Sequence, residues 1–113
     1  MTPSPSTADR IRELNDAFRK GDVPAGQWMI TRGVASLGPE FVAQATKAVR
    51  DFDRFTPDND PYEEHDFGSL TVACQRLLWK IDYYDPTLSL GSDDPADAAV
   101  TCRVLTVMLA EEY

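Results

Sequence analysis

The side chains of this chain best suited to chemistry are carboxylates, and they crowd into one stretch. Residues 56–66, Thr-Pro-Asp-Asn-Asp-Pro-Tyr-Glu-Glu-His-Asp, hold Asp58, Asp60, Glu63, Glu64 and Asp66; Asp51 and Asp53 precede them, and Asp82 and Asp85 follow. Rigidly held carboxylates can occupy Lys and Arg sites that otherwise neutralise phosphates, because duplex DNA carries a charge about every 1.7 Å of its axis. The same oxygens are hard ligands for calcium or magnesium. However, the loop lacks the twelve-residue calcium-loop pattern, with glycine at its sixth position and glutamate at its twelfth. His65, between Glu64 and Asp66, has the chemistry of a general base, but no serine or cysteine is placed in sequence as its obvious nucleophile. The reading is therefore a partner-binding acidic surface made of these nine acids, with no catalytic residue, no metal and no cofactor. A solvated acidic face that aids solubility is the plainer alternative, and a metal-dependent enzyme using the acidic loop is another.

Charge sharpens that reading. Residues 1–50 carry seven bases and five acids, net +2, whereas residues 51–113 carry four bases and fourteen acids, net −10. A field of that sign repels nucleic acid and anionic membranes and attracts basic surfaces. Direct nucleic-acid binding and membrane association are thus not expected. The aromatic residues Trp28, Trp79, Tyr83 and Tyr84 lack the basic groove that base stacking requires. Trp79 and Tyr83 are expected in the core, and Tyr62 and Tyr84 nearer the surface as possible interface anchors.

The two cysteines, Cys74 and Cys102, are too few for a disulfide framework and show no metal-ligand spacing. Cys74 is expected to be exposed and to be the candidate for an intermolecular disulfide that links a homodimer. An intrachain Cys74–Cys102 bridge is the alternative, and it needs Cα atoms within about 7 Å.

The elements that must position these groups follow from pattern. Ile11, Leu14 and Phe18 form a stripe on a first helix that starts after Ser6 or Thr7 and ends near Gly21, with Arg19 and Lys20 in its last turn, largely off the stripe, where they suit the helix dipole. A turn over Asp22-Val23-Pro24-Ala25-Gly26 leads to a strand over Gln27–Thr31. Pro39 starts a second helix over 39–54, whose core face is Phe41, Ala45, Val49 and Phe52. Phe67–Ala73 and Leu77–Tyr84 alternate as strands and form an antiparallel hairpin with Cys74 and Gln75 near its tip. Asp93-Asp94-Pro95 then caps a terminal helix built on Val100, Val104, Leu105, Met108 and Leu109. The fold class expected is α+β: a small three-stranded antiparallel sheet surrounded by three helices, in the order α-β-α-β-β-α. It forms one domain over 1–113 with a flexible 1–6. No apolar run approaches the roughly 20 residues that cross a bilayer, and the first residues lack the order of a secretion signal, so the expected location is the bacterial cytoplasm.

Three segments carry a resemblance: residues 55–68, Trp79-Lys-Ile-Asp-Tyr-Tyr-Asp85, and residues 103–113. From about Ile11 onward they resemble a small domain-of-unknown-function family of alphaproteobacteria and their mobile elements. Within it the chain looks most like anti-CRISPR proteins of the type I-C-inhibiting class, carried by phages to disable the Cascade surveillance complex. The resemblance implies Cascade as the protein partner, target-DNA binding as the step blocked, and DNA mimicry as the means. An anti-restriction or regulatory mimic with another basic partner stays open. The family often has a glycine in the hairpin turn, where this chain has Cys74-Gln75.

Overall fold

The stripe that begins with Ile11 and Phe18 does organise a helix. The computed structural model describes residues 7–21 and 26–113, and in it α1 spans Thr7–Lys20. Its buried positions are Ile11, Asn15, Phe18 and Arg19, so two polar residues share the inward face with the two apolar ones. Arg19, expected near the helix end for its charge, is instead fully buried. The expected flexible 1–6 and the turn at 22–25 lie outside the described residues.

A four-residue strand β1, Gln27–Ile30, leads into the single-turn helix α2, Arg32–Ala35, and then into α3, Pro39–Arg50. The Thr31 hydroxyl caps α2 by accepting from the Val34 N–H, and Pro39 sits at the start of α3 as its missing N–H allows. The third helix stops at Arg50, short of the expected 54. Phe41, Ala45 and Val49 form its buried face, and Phe52 joins them from the chain beyond.

The hairpin consists of β2, Phe67–Val72, and β3, Gln75–Tyr84, paired from Phe67↔Lys80 to Val72↔Gln75. Its turn is Ala73-Cys74, one residue earlier than the tip expected. Both residues adopt left-handed backbone, φ 48° and 67°, as a tight two-residue turn between twisted strands demands.

The expected terminal helix is a strand. β4, Cys102–Leu109, pairs antiparallel along the length of β3 and parallel with β1, which gives a four-stranded mixed sheet in the order β1-β4-β3-β2. The three-stranded antiparallel sheet and its α-β-α-β-β-α order are therefore incorrect. Helical spacing and continuous burial coincide in Val104-Leu105-Thr106-Val107-Met108-Leu109. A central strand with both neighbours in place reads as a nearly unbroken apolar run, and from Arg103 to Leu109 every residue of this one except Thr106 is buried.

Alternation assigns Leu77, Trp79 and Ile81 of β3 and Leu105, Val107 and Leu109 of β4 to the face on which the helices pack; these six, with Phe18, Val34, Phe41, Ala45, Val49, Phe52 and Val72, form the core. Gly68 lets this happen at the sheet's edge. A Cβ there would lie 2.3 Å from the Trp79 indole nitrogen and 2.9 Å from Phe52, so only glycine allows both rings to close over β2. After β4, the single 3-10 turn Ala110–Glu112 brings the Glu112 carboxylate to the Thr31 hydroxyl at 2.7 Å and the Gly33 N–H at 3.2 Å, tying the chain's end to α2. Among the described residues no helix is long and apolar enough to cross a membrane.

Candidate functional site

The acidic stretch forms the connection between α3 and β2, and a polar cluster behind it sets its shape. Asn59 accepts from the Thr56 N–H and donates to the Arg54 carbonyl, while the Asp60 N–H donates to the Thr56 carbonyl. These bonds wind the loop until Asp60 turns inward, 5% exposed. One Asp60 oxygen accepts from the His65 backbone N–H at 3.2 Å, and the other lies 3.5 Å from His65 Nε2. His65 Nδ1 lies 2.9 Å from Asp16 of α1, and the imidazole stacks on Phe55 with centroids 3.7 Å apart and planes 4° from parallel. Glu63 and His65 both hold left-handed backbone, φ 56° and 55°, a strained arrangement that these side-chain bonds sustain.

Helix α1 grips the loop near both of its ends. Arg12 donates to the Glu63 carbonyl at 3.2 Å, and Asn15 Nδ2 donates to the Glu64 carbonyl at 2.9 Å and to the Tyr83 hydroxyl at 2.8 Å. The Asn15 side-chain oxygen accepts from Arg103 Nε at 2.6 Å, and Arg103 also donates to the Pro95 carbonyl. Arg19 donates through one terminal nitrogen to the carbonyls of Val49, Arg50 and Phe52, closing the carboxyl end of α3, and its guanidinium lies over the rings of Phe55 and Trp79. Burial lowers the proton affinity of both arginines, although Asp16 and Asp53 oppose the shift at Arg19 and Tyr83 opposes it at Arg103. Burial also pushes the Tyr83 phenol up.

The nine acids of the expected surface fall into distinct settings. Asp60 is buried and structural, which removes it from any contact surface. Asp51 pairs with Lys47 at 2.6 Å; with Asp53 it lines an open cleft of about 950 Å³ that also holds Lys20, Arg50 and the guanidinium of Arg19. Asp58 and Glu63 are exposed on the loop. Asp85 is absorbed by its own turn, where the Thr87 hydroxyl and Ser89 N–H hold its carboxyl below the usual range. Glu64, Asp66 and Asp82 remain, and Asp66 feels the charge of Asp82 and acts on Glu64. Glu64 is pushed up by burial and then by Asp66 and Asp60; Asp66 is pushed up by burial and then by Asp60 and Asp82, against a backbone hydrogen bond and His65 that draw it down. Asp82 alone among the three has a near cation, Lys80 at 2.9 Å.

His65 faces carboxylates with both ring nitrogens and is stacked on a third side, the setting of a fastened residue rather than of a free base. Among the described residues no three or more His, Cys, Asp or Glu side chains converge as possible metal ligands. Cys74 is exposed and Cys102 half-buried, both with free thiols. They sit at opposite ends of β3, since Cys102 pairs with Tyr84 while Cys74 abuts Gln75. Ten residues of strand separate their ends by roughly 30 Å, which rules out the intrachain bridge.

The residues that sequence reasoning missed are Asn15, Asp16, Arg19 and Arg103. A signal existed for two of them: Asn15 and Arg19 lie four and eight residues after Ile11, on the helix's apolar stripe, where a polar residue must find buried partners.

Residues 30–112 match the model of a family described as a protein of unknown function, DUF3768. No curated protein and no solved structure matches the chain.

Proposed function

Because the chain belongs to the DUF3768 family of proteins of unknown function, we propose its role from its own residues: it binds a basic macromolecular partner through Glu64, Asp66 and Asp82, with Asp58 and Glu63 on the adjoining loop. The observation that carries this reading is the crowding at Glu64 and Asp66, two partly desolvated carboxylates raised in pKa and, among the described residues, in direct ion pairs with no Lys or Arg. An incoming guanidinium or ammonium compensates the desolvation by charge pairing and offsets the mutual repulsion, so its binding is favoured over that of any neutral group. The excess of −10 beyond residue 50 extends the attraction outward and steers such a partner in.

Nucleic-acid-handling proteins present basic surfaces of this kind. The resemblance read in residues 55–68, 79–85 and 103–113 to anti-CRISPR proteins of the type I-C-inhibiting class is the reason to test Cascade first, with target-DNA exclusion as the proposed consequence and other basic nucleic-acid-binding proteins as the alternative. Purified chain mixed with type I-C Cascade is expected to co-elute and to reduce binding of the target duplex, and the association is expected to weaken as salt rises. No complex at low salt overturns the Cascade assignment. A complex that Glu64→Lys with Asp66→Lys leaves intact overturns the carboxylate surface.

A further inference from the structure

Among the described residues nothing pairs with the outer edge of β2, and its register can be read from one hydrogen bond. The Ile81 N–H donates to the Asp66 carbonyl, so Asp66, Gly68, Leu70 and Val72 direct their backbone groups toward β3. Phe67, Ser69 and Thr71 therefore direct theirs outward, and among the described residues these outward groups have no partner. Edge strands are normally protected by charge, proline, a bulge or brevity. Phe67-Gly-Ser-Leu-Thr-Val72 is six residues long, regularly paired, and contains neither a charge nor a proline.

We infer that this edge is the interface of a noncovalent homodimer, in which β2 pairs antiparallel with β2 of a second copy about a two-fold axis at Ser69. In that register the outward groups meet one another: Ser69 exchanges both backbone bonds with Ser69 of the other copy, and Phe67 does so with Thr71 on either side. Leu70, half-buried in the single chain, comes opposite Gly68, which offers no side chain to oppose it. The groove beside the edge, about 480 Å³, is lined by Asp51, Asp53, Arg54 and Arg76, two charges of each sign. The rims that meet across the axis are therefore balanced, although each chain carries −8 overall. The result is one continuous sheet through both copies. It places the two Cys74 thiols roughly 34 Å apart, five residues from the axis on either side, so this dimer excludes a Cys74 disulfide.

Sedimentation equilibrium in the presence of reductant is expected to give twice the 12.6 kDa chain mass. Ser69→Lys and Ser69→Glu each set like charges directly opposite on the axis, on the sheet face away from the core. Each variant alone is expected to sediment as a monomer with unchanged circular dichroism, and an equimolar mixture of the two to recover the dimer. A wild type that stays monomeric to its solubility limit overturns the inference, as does a dimer that reductant or Cys74→Ser dissolves. A dimer indifferent to both Ser69 variants does so too. None of these outcomes bears on the carboxylate surface, which lies beyond the other end of β2.

Discussion

At the residue scale, the chain's charged groups divide by what they touch. Arg19 offers one guanidinium nitrogen to the carbonyls of Val49 and Arg50 at the end of α3 and of Phe52 just beyond it, in a site 1% exposed. Arg19→Met keeps the stem and abandons those carbonyls, and is expected to cost about 3 kcal/mol or more in urea unfolding. Glu64 and Asp66 are the reverse case, charges that the fold tolerates at a cost. Their folded-state pKa values lie above the unfolded ones, so between the two the folded chain holds more protons. The contribution of these carboxyls to stability thus falls as pH rises through that window and is least at neutral pH. Glu64→Gln with Asp66→Asn is expected to stabilise the protein at neutral pH and to lose that gain as pH falls below the ordinary carboxylate range. The same double variant is expected to weaken binding of the basic partner, so stability and binding move in opposite directions, a result that a purely solubilising role for these acids does not produce.

Among the elements, the β2–β3 hairpin carries the clearest strain. Ala73 and Cys74 both occupy left-handed backbone that costs L-residues roughly 1–2 kcal/mol each, in a turn whose favoured sequence is Asn-Gly. Ala73→Asn with Cys74→Gly is expected to stabilise the protein by about 1–2 kcal/mol, measured as a shift of the urea midpoint at unchanged slope. The loop before β2 is strained as well, at Glu63 and His65, but there Asp60, Asp16 and Phe55 hold the geometry. Asp60→Ala is therefore expected to lower stability by about 1–3 kcal/mol, the usual penalty for leaving buried donors without their acceptor. If its effect on partner binding exceeds its effect on folding, Asp60 is more than a scaffold.

Over the whole molecule, the asymmetry of charge matters more than its sum. The basic half contributes α1 and α3, whose bases are largely consumed in holding the loop, in ion pairs and, for Arg50, against the Trp28 ring. The acidic half supplies the exposed loop and the end of the sheet. Reversing Asp58, Glu63, Glu64 and Asp66 to lysine is expected to weaken partner binding far more than four acid-to-base changes at exposed sites elsewhere. It is also expected to flatten the dependence of affinity on salt, since the number of charges brought into contact sets that slope.

Local pattern determined α1, β1, α3 and the hairpin, because each buries one face at a fixed period and short-range spacing reports it. Sequence also placed Trp79, Leu77 and Ile81 inside and the acidic excess in the second half of the chain. It could not distinguish β4 from a helix. Val104 to Leu109 is buried on both sides, and the pairings with β3 and β1 that make it a strand join residues far apart in sequence. The same limit applied to the site. Nine acids close in sequence are one cluster on paper; the Lys47–Asp51 and Lys80–Asp82 pairs are local, but tertiary structure buried Asp60 beneath His65 and left Glu64 and Asp66 crowded together. Which carboxylate is solvated, paired or strained depends on what lies across from it, and only the packing of α1 against the loop and the sheet's end decides that.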